Sequence, residues 1–328
     1  MKKALRVLAA AVALSSLSSI ATAEEVKIGF LVKQAEEPWF QTEWAFAEKA
    51  GKEHGFTVIK IAVPDGEKTL SAIDSLAANG AKGFVICPPD VSLGPAIVAK
   101  AKANGLKVIA VDDRFVDAKG AFMEDVPYLG MAAFEVGQKQ GAAMAAEAKK
   151  RGWDWKETYA VINTFNELDT GKKRTDGSVK SLEEAGFPKD HILFTAAKTL
   201  DVPGSMDATN SALVKLPSGA KNLIIGGMND NTVLGGVRAT ESAGFKAANV
   251  IGIGINGTDA IGELKKPNSG FFGSMLPSPH IEGYNTAKMM FDWVTKGTEP
   301  PKYTAMDEVT LITRDNFKEE LTKIGLWQ

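Results

Sequence analysis

The chain has 328 residues, of which 45% are hydrophobic, 24% charged and 8% aromatic, and its formal net charge is −2 at pH 7. This composition, with 32 glycines, is ordinary for an α/β protein and excludes fibrous and disordered classes. The mildly acidic charge argues against nucleic acid or anionic lipid as a partner.

The first 23 residues have the pattern of an export signal. Two lysines after Met1 precede an apolar stretch over residues 4–17, and the tripeptide Ala-Thr-Ala at 21–23 precedes two glutamates. The apolar stretch is shorter than the roughly 20 residues that span a bilayer, which disfavours a membrane anchor. We expect a signal peptide over residues 1–23 that is cleaved after Ala23. The remaining 305 residues carry a net charge of −5, because three basic residues and no acidic residue are lost.

Cys87 is the only cysteine of the chain, so no intramolecular disulfide is possible. Stability must therefore come from packed cores. Because a chain of this length exceeds the usual span of one hydrophobic core, we expect two lobes.

Short β-branched runs alternate with amphipathic stretches from residue 26 onward. The first half of this pattern predicts strands over residues 26–32, 57–62, 83–87 and 107–111, with helices that include residues 68–78 and 93–103. Strands separated by crossover helices indicate a parallel sheet with right-handed connections.

A long helix is predicted over about residues 131–150, and the basic, tryptophan-containing stretch 149–153 marks a candidate boundary. A second set of strands follows, at residues 159–163, 191–196, 222–226, 250–255 and 270–275. We therefore predict an α/β protein with two Rossmann-like, doubly wound lobes. No low-complexity linker joins them, and several short crossings would suit a hinge.

Planar polar side chains follow the predicted strands, at the sheet edge where doubly wound folds bind ligands. The main ones are Asp112, Asp113, Arg174, Asn229, Asn256 and Asp259. A monosaccharide offers hydroxyls that donate and accept, a ring oxygen that accepts, and apolar C–H patches. Carboxylates and amides can bridge hydroxyls, arginine can donate, and Trp39 in the first loop can cover a C–H patch. The combination favours a sugar, although each residue alone is weak evidence.

Several of these residues also have a purely structural interpretation. Asp90 and Asn231 fit best as turn or helix-capping residues, since Asp and Asn are common just after strands. Trp39 can cover the edge of a core, and Cys87 can be a small buried core residue. Arg174 follows two lysines, a pattern typical of a solvated helix face.

Enzymatic functions find little support in the sequence. Asp112 and Asp113 are adjacent and point in different directions, which makes them a poor acid and base pair. Glu37 with Asp113 is the other pair of carboxyls that could serve as acid and base. The three histidines lack the spacing of metal ligands. Neither a phosphate-binding loop nor a partnered serine or cysteine nucleophile is apparent. We expect no catalysis, no cofactor and no metal.

Nine segments spread over the chain after the leader carry a likeness to known proteins. They lie at residues 33–41, 83–87, 110–113, 166–170, 227–230, 232–236, 252–257, 275–279 and 311–318. Together they resemble the L-arabinose-binding members of the type I periplasmic sugar-binding protein family. The resemblance implies two lobes joined by three crossings, with the sugar in the cleft between them. The first lobe would comprise residues 24–131 and 278–307, and the second residues 132–277 and 308–328.

The resemblance also implies roles for individual residues. Eight polar residues, four from each lobe, would bind the hydroxyls: Lys33, Glu37, Asp112, Asp113, Arg174, Asn229, Asn256 and Asp259. The charged members on each wall, Lys33 with Glu37 and Arg174 with Asp259, would neutralise each other. The departures that we notice, such as Ala35, lie next to expected contacts and not at them.

Less polar residues would complete the pocket. Trp39 would stack on the sugar, Phe40 and Cys87 would help to wall the pocket, and Met131 would lie near the ring substituent that separates arabinose from galactose. The further expected contacts are Leu168, Thr170 and Met228.

By the same resemblance, the protein would be the periplasmic binding component of an ABC importer. It would bind L-arabinose as a monomer, with D-galactose or D-fucose as further ligands, and deliver it to the membrane permease. The alternatives are a galactose- or ribose-type binding protein, the core of a sugar-responsive transcription regulator, and a glycosidase. The regulator is disfavoured because an export leader takes the place of a DNA-binding helix-turn-helix, and the glycosidase because it needs a separated carboxylate pair.

Overall fold

Valine- and isoleucine-rich runs form the strands of this protein, and amphipathic helices cover them. A computed structural model describes residues 25–278 and 280–327. The leader expected over residues 1–23 and its cleavage site lie outside these residues. In the part of the chain that is described, no helix has the length and apolar character needed to cross a membrane.

The first lobe is built on a six-stranded parallel sheet. Its strands are β1 (Val26–Val32), β2 (Phe56–Ala62), β3 (Ala81–Ile86), β4 (Lys107–Val111), β5 (Tyr128–Met131) and, much later in the chain, β11 (Thr304–Met306). The helices packed on them are α1 (Pro38–His54), α2 (Gly66–Ala78), α3 (Gly94–Ala103) and α9 (Thr286–Lys296). The strand order is β2-β1-β3-β4-β5-β11.

The second lobe repeats this arrangement. Its strands are β6 (Thr158–Thr164), β7 (Ile192–Ala196), β8 (Asn222–Gly227), β9 (Val250–Ile255), β10 (Phe271–Pro277) and β12 (Val309–Thr313). Its helices are α4 (Ala133–Lys150), α5 (Asp169–Glu184), α6 (Val202–Leu213), α7 (Asp230–Ser242), α8 (Ile261–Leu264) and α10 (Phe317–Lys323). The order is β7-β6-β8-β9-β10-β12, and only β12 of these strands runs antiparallel to its neighbour.

Each sheet is buried on both faces. In β3, Phe84 and Ile86 pack into one hydrophobic cluster of the first lobe, while Val85 packs into the cluster on the opposite face. In the second lobe, β8 and β9 are buried at every position. Because the interiors of the sheets are apolar, the strand ends are the places where polar side chains emerge.

The described chain passes from one sheet to the other at three places. After β5 it enters α4, which packs on β9 of the second lobe. After β10 it returns through a π-helical turn, Ile281–Asn285, into α9, and between β11 and β12 it crosses again. Two of the crossings are hydrogen-bonded to each other, because the amide of Ala132 donates to the carbonyl of Met306 at 2.7 Å.

The predicted fold class is confirmed, and β1, β4 and β9 begin and end where the sequence predicts. The prediction failed at the edges of the sheets. The long helix begins at Ala133 and not at 131, because residues 128–131 form β5. Neither β11 nor β12 was predicted. β5 and β11 are four and three residues long, too short for an alternating pattern to be visible in the sequence.

Candidate functional site

The carboxyl ends of the two sheets face each other across a cleft. In each lobe the strand order reverses at one strand, β1 in the first lobe and β6 in the second, and doubly wound folds bind ligands beside such a reversal. A cavity of about 40 Å³ lies there. Twelve of the fifteen residues predicted for the site line it: Lys33, Glu37, Trp39, Phe40, Asp112, Asp113, Leu168, Thr170, Arg174, Met228, Asn229 and Asn256.

Two residues of the cavity wall were missed by the sequence analysis. Gln34 donates a hydrogen bond from Nε2 to Oε1 of Glu37, at 2.8 Å, and so holds that carboxyl group in place. Leu200 comes from the segment between β7 and α6. Both residues follow the carboxyl end of a strand, which is the signal that could have found them.

Three predicted residues lie outside this cavity. Cys87 is fully buried behind the wall, and its Sγ lies 3.8 Å from Oδ2 of Asp113. Burial raises the pKa of the Cys87 thiol well above its usual value. Met131 lines a neighbouring cavity of about 510 Å³, which shares Asp113, Leu168 and Thr170 with the first. Asp259 lies nearby, and its Oδ2 accepts a hydrogen bond from Thr258 at 3.3 Å.

Asp113 joins the two lobes. Its Oδ2 is 2.5 Å from Nζ of Lys33, and its Oδ1 accepts a hydrogen bond of 2.9 Å from Thr170 of the second lobe. Burial raises the pKa of Asp113, but the Lys33 ammonium outweighs it and holds that pKa below its usual range. Burial lowers the pKa of Lys33, but the neighbouring carboxylates, Asp113 foremost, raise it above its usual value. Lys33 therefore forms its ion pair with Asp113. The sequence analysis had expected Glu37 as its partner.

Two cavity residues have unusual backbone conformations. Among the described residues, Asp112 (φ 60°) and Asn256 (φ 115°) are the only residues other than glycine with positive φ. At Asp112 the chain makes a tight three-residue turn, in which the amide of Asp113 donates to the carbonyl of Val111 at 2.6 Å. Such strain costs about 1–3 kcal/mol and clusters at ligand sites, where the surrounding structure enforces it.

Arg174 does not lie on a solvated helix face. Only 7% of it is exposed, its Nη1 donates to the carbonyl of Met228 at 3.0 Å, and its Nε has no hydrogen-bond partner. Helix α4 passes very close to this part of α5, because a Cβ at Gly137 would lie 2.0 Å from the Arg174 carbonyl. The preceding Lys172 instead pairs with Asp176 at the surface.

Of the two residues expected as turn or helix-capping residues, Asp90 is a cap, whereas Asn231 lies inside the first turn of α7 and its side chain hydrogen-bonds Asp259. Asp90 caps a short turn by accepting from the amide of Ser92 at 2.8 Å, which confirms the structural interpretation. Asn229 caps α7, since its Oδ1 accepts from the amide of Thr232 at 2.9 Å, and it also lines the cavity. A capping role therefore leaves the amide nitrogen of Asn229 available to a ligand.

The carboxyl groups of Glu37 and Asp259 repel each other when both are ionised. Burial and then the charge of Asp259 raise the pKa of Glu37 to about 7, while Lys33 acts in the opposite direction. Burial also raises the pKa of Asp259, against hydrogen bonds from Thr258 and Asn231. Because the pKa of Glu37 is about 7, its average charge changes with small shifts of pH around neutrality.

A second group of carboxyls lies behind the cavity wall. Glu43 of α1 and Glu282 of the π-helical turn are almost fully buried, and their oxygens approach the Asp112 carboxyl within 4.8 Å. Trp39 also contacts Asp112, by donating from Nε1 to Oδ2 at 3.3 Å. The sequence analysis missed both glutamates, because each lies within a helical segment and not directly after a strand.

This group is the only set of three or more potential metal-ligating side chains found among the described residues. Two of its three carboxyls, Glu43 and Glu282, are almost fully buried, whereas Mg²⁺ usually keeps several waters and Ca²⁺ takes six to eight oxygen ligands. The arrangement is better suited to shared protons than to a metal ion. No other feature of the described site calls for a cofactor.

The sequence of the chain is similar to that of known binding proteins. The model of the family "Periplasmic binding proteins and sugar binding domain of LacI family" matches residues 25–320. The L-arabinose-binding periplasmic protein of Escherichia coli K12 is 59% identical over 327 residues, which cover 99% of either chain. An ABC transporter L-arabinose-binding periplasmic protein of Azospirillum brasilense is 41% identical, with 98% of this chain and 97% of that one covered.

A solved structure shares the fold at much lower sequence identity. The periplasmic solute binding protein of an ABC transporter from Actinobacillus succinogenes 130z, with bound D-allose, superimposes with a TM-score of 0.73. It is 20% identical, and the alignment covers 90% of this chain and all of that one. The fold of this chain is therefore found in a protein of low sequence identity.

Proposed function

Because the chain belongs to the family of periplasmic binding proteins and sugar-binding domains of the LacI type, we propose that it binds a monosaccharide, L-arabinose, in the cleft between its lobes. It hands the sugar to the membrane permease of an ABC importer. The names of the relatives that are 59% and 41% identical support this ligand and this transport role. The observation that carries the proposal is the ring of planar polar groups around one cavity, contributed by both lobes.

The polar groups have complementary tasks. Asp112, Asp113 and Glu37 accept from sugar hydroxyls, and the unpartnered Nε of Arg174 and the amide of Asn229 donate to sugar oxygens. Trp39 and Phe40 supply an aromatic wall that can cover the C–H face of the sugar. Asn256, Leu168, Thr170 and Met228 complete the wall, with Cys87, Met131 and Asp259 at its margin.

Binding requires the lobes to move apart and close again. A cavity of about 40 Å³ holds about three water molecules, far fewer atoms than a pentose contains. The proposed lobes are residues 24–131 with 278–307 and residues 132–277 with 308–328. They rotate about the three crossings, and the hydrogen bond from Thr170 to Asp113 opens with them. A sugar closes the cleft because it gains contacts to both walls only in the closed form.

The protein works in the periplasm as a monomer. The expected leader, cleaved after Ala23, and the periplasmic relatives support this location. Neither catalysis nor a cofactor is part of the proposal, because the cavity groups are suited to hold hydroxyls and the Asp113 carboxyl is already engaged with Lys33 and Thr170.

The identity of the ligand is tested by measuring the melting temperature of the protein with a panel of candidate compounds. A ligand at 100 times its dissociation constant adds about 2.7 kcal/mol to the free energy of unfolding. We expect L-arabinose to raise the melting temperature of the purified mature protein, and sucrose, amino acids and nucleotides to leave it unchanged. A shift with galactose or ribose but not arabinose would assign the other sugar type. A shift with an amino acid and with no sugar would refute the proposal, and chromatography that detects a modified sugar would revive an enzymatic function.

A further inference from the structure

The buried carboxyls behind Asp112 are not explained by sugar contacts of their own. Glu43 is 0% exposed and Glu282 1% exposed, so neither reaches the cavity surface. Asp112, which does line the cavity, stands between them and the ligand space. Both glutamates therefore act on a ligand only through Asp112.

The hydrogen bonding of the glutamates is incomplete without protons of their own. Neither oxygen of Glu43 nor Oε2 of Glu282 has a partner among the donor groups that surround them. Leaving a buried carboxylate without any donor is costly, so such a group takes up a proton. A protonated carboxyl becomes a donor, and each glutamate is a hydrogen-bond partner of the Asp112 carboxyl, whose oxygen lies within 4.8 Å of theirs.

The backbone brings the two glutamates together at close quarters. The π-helical turn Ile281–Asn285 places Glu282 against α1, and Gly283 makes the approach possible, since a Cβ there would lie 2.3 Å from the Glu43 carbonyl. π-Helical turns are rare and occur frequently at functional sites. The backbone of Asp112 is itself held in a strained positive-φ conformation.

We propose that Glu43 and Glu282 are positioning residues for sugar binding: as carboxylic acids they donate hydrogen bonds towards the Asp112 carboxylate and hold it in the orientation that receives a sugar hydroxyl. This inference rests on the proposed function and deepens it. Burial, followed by the charge of Asp112, raises the pKa of both glutamates well above the usual range, which supports the protonated state.

Other titratable and charged groups surround this cluster. From the elements packed against it they are Lys33, Cys87, Asp113, Tyr128 and Arg174, with Lys49, Glu53 and His280 on the outer side of α1 and the π-helical turn. Glu37 lies on the same wall, and Asp112 is among the charges that raise its pKa. These other groups are present in the parent and in variants that change only Glu43 and Glu282. A difference between the pH profiles of parent and variant therefore reports on the two glutamates.

The sign of the pH effect follows from the raised pKa values. The stability contributed by the two acids is fully present below the pKa of 4.5 that a glutamate has in the unfolded chain, and it is lost as the pH rises through the folded-state values. When they ionise, two carboxylates repel Asp112 and displace it. Sugar affinity and the melting temperature of the free protein therefore both fall with rising pH.

The test uses three changes in the mature protein. Glu43→Gln with Glu282→Gln keeps a neutral donor at each position, Glu43→Leu removes the donor, and Glu48→Gln is a matched control at a partly exposed position of α1. Dissociation constants for L-arabinose are measured by calorimetry from acidic to alkaline pH. We expect the double Gln variant to keep the parent affinity at neutral pH and to lose the alkaline decline. Glu43→Leu should bind about tenfold more weakly at every pH, and Glu48→Gln should behave as the parent.

Two further measurements do not depend on the sugar. The infrared band of protonated carboxyls should be weaker in the double Gln variant than in the free parent at neutral pH, because the raised pKa values of Glu37 and Asp230 leave a contribution in both proteins. The alkaline decline of the melting temperature should also be smaller in that variant. If the parent binds no sugar, the proposed function fails, while the band and the melting profile still decide whether the acids are protonated. Equal pH profiles in parent and double variant, or bands of equal intensity in the two, would overturn the inference. So would stabilisation of the parent by Ca²⁺ or Mg²⁺ that EDTA reverses, because the cluster would then hold a cation.

Discussion

The two walls of the cleft satisfy their polar groups in different ways. On the first wall, Lys33, Asp112 and Asp113 are bonded to their surroundings, and the Lys33–Asp113 pair is almost buried. On the second wall, Arg174 keeps an unpartnered Nε and Asn229 uses only its oxygen for capping. The polar side chains of the first wall are thus hydrogen-bonded or ion-paired without a ligand. The second wall retains hydrogen-bond donors that have no partner within the protein. Changes in the first wall should therefore affect folding, and changes in the second should affect binding.

The largest effect is expected from Asp113→Ala. It leaves the Lys33 ammonium buried without its carboxylate, which costs about 3–5 kcal/mol in the free energy of unfolding. Urea unfolding of the sugar-free protein measures this. Glu48→Ala, which breaks the exposed pair with Lys60, is the control and should cost no more than about 1 kcal/mol. Equal losses in the two variants would show that the first wall is not a buried network.

Arg174→Ala should affect binding most. The loss of charge-assisted hydrogen bonds to a buried sugar weakens binding by about 2–4 kcal/mol. Titration calorimetry of variant and parent decides it, with Lys172→Ala on the same helix as the control. An unchanged dissociation constant for Arg174→Ala would remove the guanidinium from the ligand contacts.

The side chain of Asn229 has two roles, because its oxygen caps α7 and its nitrogen is expected to bind the sugar. Asn229→Ala should lower the free energy of unfolding by about 1 kcal/mol because α7 loses its cap. Asn229→Ser should keep the cap and the stability, but weaken sugar binding because the amide donor is gone. Thermal melts and titrations of both variants distinguish the two roles. If Ser binds sugar as well as Asn does, the residue is a cap alone.

Glu37 predicts a pH dependence of stability on the first wall. Its pKa is raised from 4.5 to about 7, so the stability it contributes is complete below pH 4.5 and is lost as the pH rises through 7. After allowance for solvent screening the effect is about 1 kcal/mol. Glu37→Gln should flatten this part of the melting profile of the sugar-free protein. A profile identical to that of the parent would contradict the raised pKa.

The smallest effect concerns Cys87, at the border between wall and core. Its full burial and raised thiol pKa predict negligible alkylation by a small maleimide, with or without L-arabinose. Mass spectrometry with glycerol as the control ligand measures the rates. Alkylation that is fast in the free protein and several-fold slower with the sugar would instead place Cys87 in the wall that opens with the lobes.

Much of the site was predictable because it follows from strand ends. Residues such as Asp112 and Asn256 come directly after buried strands, and in a parallel sheet all such ends meet at one edge. Trp39 and Arg174 were harder, because each had an equally good structural interpretation in the sequence. The resemblance to a known family, and not periodicity, favoured the cleft for both.

The sequence by itself determined the two doubly wound lobes, since the alternation of apolar strand runs and amphipathic helices is a local property of the chain. It also determined which loops reach the cleft. Only the tertiary structure decided that Lys33 pairs with Asp113, that Met131 lines a neighbouring cavity and that Glu43 and Glu282 meet behind Asp112. Those outcomes depend on distances between segments far apart in the chain, and electrostatic and hydrogen-bond energies change over a few ångströms that no linear pattern records.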